Sequence, residues 1–317
     1  MKSFTYSFLL LSFFALFCIS CSEKSASFKT IGIIQVVEDI ELDKGREALI
    51  QVLKDSGFVD GENIKISYQN AQGEISNIPM ILNQFKANKV DLLITLTTPC
   101  LVAAAQLIKD IPIVYSVAFS PEQLGIKDYG DNICGTYDLY DLEGFSDLIQ
   151  ELLPDKKRVG FPYNPTEENA VYSHKKIKEH LVSSGFEVID VTVNSSNEIV
   201  QVAQALMQKN IDMFCVGADN VVRVALQPLV KIAKENKIPI LTTETSLTRL
   251  SVPVGYGSNY EQWGEESGKI AVKVLRGEKA ESKALPEKQL VLNLSAAREQ
   301  GLVLTDSVIK RANVIIE

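Results

Sequence analysis

With 317 residues and 46% apolar content, the chain is long enough to bury two cores. Forty acidic residues against 32 basic ones give a formal charge of −8, which excludes the basic face a nucleic-acid partner needs. After the first 27 residues, strand-like and helix-like segments alternate. Apolar runs suited to buried parallel strands are predicted at 29–36, 90–96 and 112–117, with further strands at 63–68 and 132–136. Helical stripes lie between them: Leu42, Leu49, Val52 and Leu53, then Ile78, Ile81, Leu82 and Phe85, then 100–109, opened by Pro99. An amphipathic helix at 142–153 ends at Pro154, and the pattern restarts. Strands are predicted at 158–161, 186–193, 212–216 and 239–242, and helices at 166–184, 197–208 and 219–236. The tail adds a strand at 252–257, a helix at 261–276, a polar loop at 279–287, a strand at 289–294 and helical turns at 295–300 and 306–311. Strands alternating with helices imply an α/β fold, parallel sheets with helices on both faces, in two units of similar size.

The N-terminus reads as a signal peptide over 1–20. Lys2 is the positive end, and the 13 apolar-rich residues 7–19 follow. As a helix they span ~20 Å, short of the ~30 Å of a bilayer core, so this is a signal core rather than a spanning anchor. Ser20-Cys21 resembles a bacterial lipobox, with Cys18 where Leu is usual. Cys21 is therefore the expected lipidation site, followed by a tether over 21–27. The alternative is an ordinary secretory cleavage, with Cys21 incidental. Lipidation would hold an otherwise soluble protein on a membrane surface.

Cys100, Cys134 and Cys215 stand far apart in apolar stretches and read as small buried hydrophobes, not a disulfide framework or a zinc site. His174 and His180 are six apart on one predicted helix, on different faces, and read as solvated rather than as a metal pair. No GxSxG, HExxH, Walker A or dinucleotide fingerprint occurs, so no enzyme, metal or cofactor is expected.

In an open parallel sheet, ligands bind at the carboxyl ends of the strands. The turn Thr97-Thr98-Pro99 lies there, at a helix N-terminus. Its two hydroxyls and the free N–H groups suit a carboxylate, although Thr98 can equally serve as a plain cap. Ser116 ends the next strand as a second hydroxyl. Tyr115 and Phe119 flank it and can line a pocket or pack in the core, and Gln35 ends the first strand. From the second half come Tyr163 and Asn164, Asp219 and Asn220, and Glu244. Asp219 either caps a helix or meets a ligand ammonium, and Glu244 is a second candidate for that ammonium. One lobe thus offers donors for a carboxylate and the other an acid for an ammonium, which suits a free amino acid.

Several segments are similar to bacterial ABC-transporter substrate-binding proteins, the family that includes tryptophan-binding lipoproteins. They are IGIIQVVE (31–38), ISYQNAQGEISN (66–77), KVDLLITLTTPCLVAAAQ (89–106), KDIPIVYS (109–116), ELLPDKKRVGFPYNP (151–165), VNSSNEIVQ (193–201), ADNVV (218–222) and SGKIAVKVLRGE (267–278). The resemblance runs in order from about 28 to 303. It implies the type I periplasmic-binding-protein fold, two Rossmann-like lobes with parallel sheets and a ligand cleft between them, and crossings near 135–138, 250–253 and 286–289. The lobes would be 28–136 with 253–286, and 137–252 with 287–317. Relatives carry Pro-Thr-Asp-Asn where this chain has Gly217-Ala218-Asp219-Asn220, and an acid near Ser120 where it has SPEQ. The implied function is an extracytoplasmic, lipid-anchored, monomeric binding protein of an ABC importer. Its partner would be a membrane permease and its ligand an amino acid-like zwitterion, aromatic ones such as tryptophan included. A sugar- or nucleoside-binding protein and a signalling ectodomain are the competing expectations, because the fold alone does not choose the ligand.

Overall fold

The computed structural model describes residues 28–127, 129–285 and 287–317; the expected signal segment, Cys21 and the expected tether lie outside them. The first sheet has the order β11-β5-β4-β3-β1-β2, built from β1 (Lys29–Gln35), β2 (Ile64–Asn70), β3 (Leu92–Leu96), β4 (Ile113–Ala118), β5 (Ile133–Asp138) and β11 (Lys283–Leu285), all paired in parallel. The second has the order β13-β12-β10-β9-β8-β6-β7. Its strands are β6 (Arg158–Tyr163), β7 (Glu187–Thr192), β8 (Met213–Val216), β9 (Ile240–Thr242), β10 (Val254–Gly257), β12 (Gln289–Asn293) and β13 (Val314–Ile316). Among the described residues only β10 and β12 pair antiparallel. The central strands β3 and β8 are buried on both faces and correspondingly apolar. Each sheet therefore has the doubly wound layout, with its crevice at the strands' carboxyl ends.

Helices cover both faces. In the first lobe these are α1 (Ile40–Asp55), α2 (Ile78–Ala87) and α3 (Thr98–Leu107). In the second they are α4 (Leu142–Leu152), α5 (Glu168–Ser183), α6 (Ile199–Met207), α7 (Asn220–Val224), α8 (Leu226–Asn236), α10 (Leu294–Glu299) and α11 (Asp306–Arg311). α9 (Tyr260–Leu275) follows β10 in sequence yet packs against α1 of the first lobe. Glycine permits this contact: a Cβ on Gly264 would stand 1.9 Å from the Gly45 carbonyl oxygen. Between α9 and the sheet, the Ser267 hydroxyl lies 2.7 Å from that of Ser116 and 2.6 Å from that of Thr136.

Three details depart from the sequence expectation. The helix expected over 219–236 is two helices meeting at Ala225. Pro228 cannot donate to the Val224 carbonyl and its ring would crowd it, so the chain restarts rather than continues. Strand β10 hydrogen-bonds within the second sheet, so residues 254–257 sit with the second lobe, not the first as expected. Because α9 packs on the first lobe, the chain changes lobes at 258–259 instead of 250–253. Short edge strands β11 and β13 occur where a loop and a tail were expected; three residues are too few to carry an alternating pattern.

Candidate functional site

A narrow cavity of about 40 Å³ lies between the lobes, its walls drawn close together. The first lobe contributes Leu42 from α1, Thr97 and Thr98 at the start of α3, Val117, Ala118 and Phe119 at the end of β4, and Tyr260 and Trp263 from α9. Asp138 ends β5 at the first crossing. The second lobe contributes Asn169, the β8–α7 turn Ala218-Asp219-Asn220, Arg223 and Glu244.

The α3 turn is built under strain. Thr97 has φ +82° and Val117 has φ +50°, a region in which β-branched residues are genuine outliers. Both line the cavity, which is where such strain concentrates. Thr97 occupies the cap position of α3 without a capping side-chain bond. Thr98 does not cap its own helix; its hydroxyl oxygen accepts the Phe119 N–H at 3.1 Å and ties the β3 and β4 ends together. α3 therefore starts at the cavity wall, where a first helical turn leaves N–H groups unbonded within the helix.

On the opposite side Asp219 plays both roles considered for it. It caps α7, accepting Val222 N–H at 2.8 Å, and it accepts Asn164 N–H at 2.6 Å. A carboxylate has lone pairs beyond these two bonds for an ammonium. Burial, then the neighbouring charge of Glu167, pushes its carboxyl up to about 7, partly offset by those N–H donors. Asn220 lines the cavity and donates to Glu167 at 2.7 Å. Glu244 is largely shielded, its side chain 11% exposed, which raises its carboxyl above the ordinary value, while Arg223 and the Tyr260 hydroxyl pull it back.

Arg223 is the cation of the site. It pairs with Asp39 at 2.9 Å and Glu244 at 3.6 Å, and it donates to Ser246 at 2.6 Å and Tyr260 at 3.2 Å. Asp39 and Tyr260 belong to the first lobe and Arg223, Glu244 and Ser246 to the second, so the network bridges the cleft. Burial alone would lower the guanidinium, but the surrounding anionic groups more than offset it and raise it. On the far side Phe119 packs on Tyr172 and Tyr140 at 4.6 and 5.4 Å between ring centres. At the crossings Lys288 pairs with Asp138 at 2.7 Å, and Ser258 donates to the same oxygen at 2.8 Å.

Of the residues singled out from sequence, Thr97, Thr98, Phe119, Asp219, Asn220 and Glu244 meet at this cavity. Five do not line it. Gln35 is buried, donating to the Val37 carbonyl and Asp43 and accepting from Arg46. Tyr115 is fully buried in the core of the first lobe, and Ser116 is turned toward Ser267 under α9. Tyr163 stacks on His174 at 3.8 Å, and the Asn164 side chain holds the loop at 164–167. His174 is thus buried rather than solvated, and burial lowers its pKa below the usual value. Among the described residues Cys100, Cys134 and Cys215 are free thiols; burial pushes Cys100 up to about 12 and Cys134 up to about 11. No group of three or more His, Cys, Asp or Glu among the described residues could hold a metal.

Sequence reasoning missed Arg223, Asn169, Asp138, Tyr260 and Trp263. Arg223 had a signal, since it lies one helical turn after Asp219 and shares its face. Asp138, an acid at a strand's carboxyl end, had one too. Asn169 had none.

Two lobes closing on a cavity that pairs a helix N-terminus with buried acids suit the capture of a small charged solute. The chain belongs to the ABC transporter substrate binding protein family, whose profile matches residues 30–316. It is 32% identical over 272 residues to a tyrosine-binding protein of Clostridioides difficile, spanning 84% of this chain and 79% of that one. A Streptococcus pneumoniae ABC domain in complex with L-Trp has the same fold, with TM-score 0.85 and 26% identity over 92% of this chain and 100% of that one. A ligand-free, open substrate-binding protein with adhesive properties from Clostridium difficile has TM-score 0.67 and 31% identity over 91% and 99%. The lower score against the open structure, despite higher identity, agrees with the cleft-bridging contacts here: these lobes are closed. The fold is the type I periplasmic-binding-protein fold.

Proposed function

We propose that this chain is the extracytoplasmic, lipid-anchored binding component of an ABC importer, and that it captures a free aromatic amino acid between its lobes for a membrane permease. The observation that carries the ligand class is the two-sided cavity. The start of α3 with Thr97 suits a carboxylate, Asp219 and Glu244 suit an ammonium, and Phe119, Tyr260 and Trp263 supply aromatic walls. Relatives described as tyrosine-binding and as an L-Trp complex support the same class. Burying both charges of a zwitterion between lobes strengthens each pairing, and closure would present a ligand-dependent surface to the permease. The lipid anchor rests on Ser20-Cys21 and would be read by mass spectrometry of the mature N-terminus.

A thermal-shift screen against amino acids, nucleosides and sugars tests the ligand class. A one-site ligand at 100 times its dissociation constant adds about 2.7 kcal/mol. Stabilisation by tyrosine, tryptophan or phenylalanine supports the proposal, and stabilisation by sugars alone sinks it.

A further inference from the structure

We propose that Asn169 is a specificity residue of this site: its side-chain oxygen accepts a hydrogen bond from the ligand's ammonium, beside Asp219. This rests on the amino-acid reading above. Asn169 sits in the first turn of α5, is 5% exposed and lines the cavity with Ala218, Asp219 and Asn220. Its amide nitrogen donates to the Ala218 carbonyl at 2.9 Å and to Glu167 at 3.1 Å. Both partners are acceptors only, so the amide cannot be turned over, and the oxygen must be the atom facing away from them. That oxygen has no hydrogen-bond partner in the protein. A buried acceptor left unmatched is costly, so one held in this way in a ligand cavity calls for a donor.

The surroundings name the donor. Glu167 is buried and receives N–H groups from Asn220 and Val221, and Asp219 stands next in the turn. Two acids beside a neutral acceptor favour a cation with several N–H groups over a hydroxyl or a carboxylate. An ammonium, with three donors, can serve Asn169 and Asp219 together.

The test uses L-tyrosine and L-tryptophan with their analogues lacking the amino group, 3-(4-hydroxyphenyl)propionate and 3-indolepropionate. Each is titrated calorimetrically into the wild-type protein and into Asn169→Leu. The wild type should prefer the amino acid, and the variant should lose at least tenfold of that preference. A purely structural role of the amide, holding Glu167 and Ala218, weakens both ligands equally and overturns the assignment. A wild-type protein that binds neither amino acid overturns the ligand class itself, and the assignment with it. If Asn169→Leu does not fold by circular dichroism, Asn169→Ala withdraws the acceptor with less bulk and gives the same readout.

Discussion

Asp39→Asn should weaken ligand binding although Asp39 does not line the cavity. In the closed structure one Asp39 oxygen caps α1, accepting the Glu41 and Leu42 N–H groups at 3.0 and 3.1 Å, and the other pairs with Arg223 at 2.9 Å across the cleft. Asparagine is as good an N-cap as aspartate, so α1 keeps its start. What is lost is the charge facing a guanidinium whose side chain is 9% exposed. Removing one partner of a buried pair costs roughly 3–5 kcal/mol. Glu244 at 3.6 Å and Ser246 at 2.6 Å remain on Arg223, so the lower end applies. With the lobes apart Arg223 would face water, and the substitution would cost little there. The penalty therefore falls on closure, and the dissociation constant should rise by about two orders of magnitude. Calorimetry reads the affinity, and small-angle scattering of the liganded protein reads a shift toward an open, larger particle. Affinity within twofold of wild type would refute the view that Arg223 latches the lobes.

The Asp219 carboxyl gives a pH dependence with a defined sign. Its folded pKa of about 7 lies above the ~3.9 of an unfolded Asp, so the unliganded native state favours the protonated form. Its contribution to stability is full below about pH 4 and is lost as pH rises through about 7. An ammonium beside it favours the carboxylate, so affinity should rise about tenfold per unit as pH increases toward 7 and then level off. Calorimetry in buffers of different ionisation enthalpy should detect the released proton; a flat profile would remove Asp219 from the ammonium site. Thr97→Gly relieves a positive φ and should stabilise the protein by about 1 kcal/mol in denaturant titration, while lowering affinity through loss of the hydroxyl. Gly264→Ala forces a methyl group onto the Gly45 carbonyl and should destabilise by about 1–3 kcal/mol, lowering Tm without removing any cavity residue.

The alternating apolar strands and helical stripes made the two α/β lobes legible, because burial on both sheet faces leaves runs such as Leu92–Leu96 that contain almost nothing polar. The Thr97 turn and Asp219 were legible for a similar reason: strand ends and helix starts mark the cleft edge in any doubly wound sheet. Side-chain direction was not legible. Tyr115 and Ser116 precede Phe119 along the chain, yet of the three only Phe119 reaches the cavity: Tyr115 and Ser116 point to opposite faces inside β4, one into the core and one under α9, while Phe119 lies just beyond the strand's end at the cleft edge. Tyr163 and Asn164 sit at the right sheet edge, but His174 and the 164–167 loop claim them. Asn169 is ordinary in sequence and becomes notable only when Glu167 and Ala218 fix its amide.

The most direct test of the central claim is calorimetric titration of the wild-type protein with L-tyrosine and L-tryptophan. One-to-one binding of at least one of them is expected, with a negative heat-capacity change from burial of the aromatic side chain. Absence of binding to every aromatic amino acid, alongside clear heats with a neutral sugar, would contradict it.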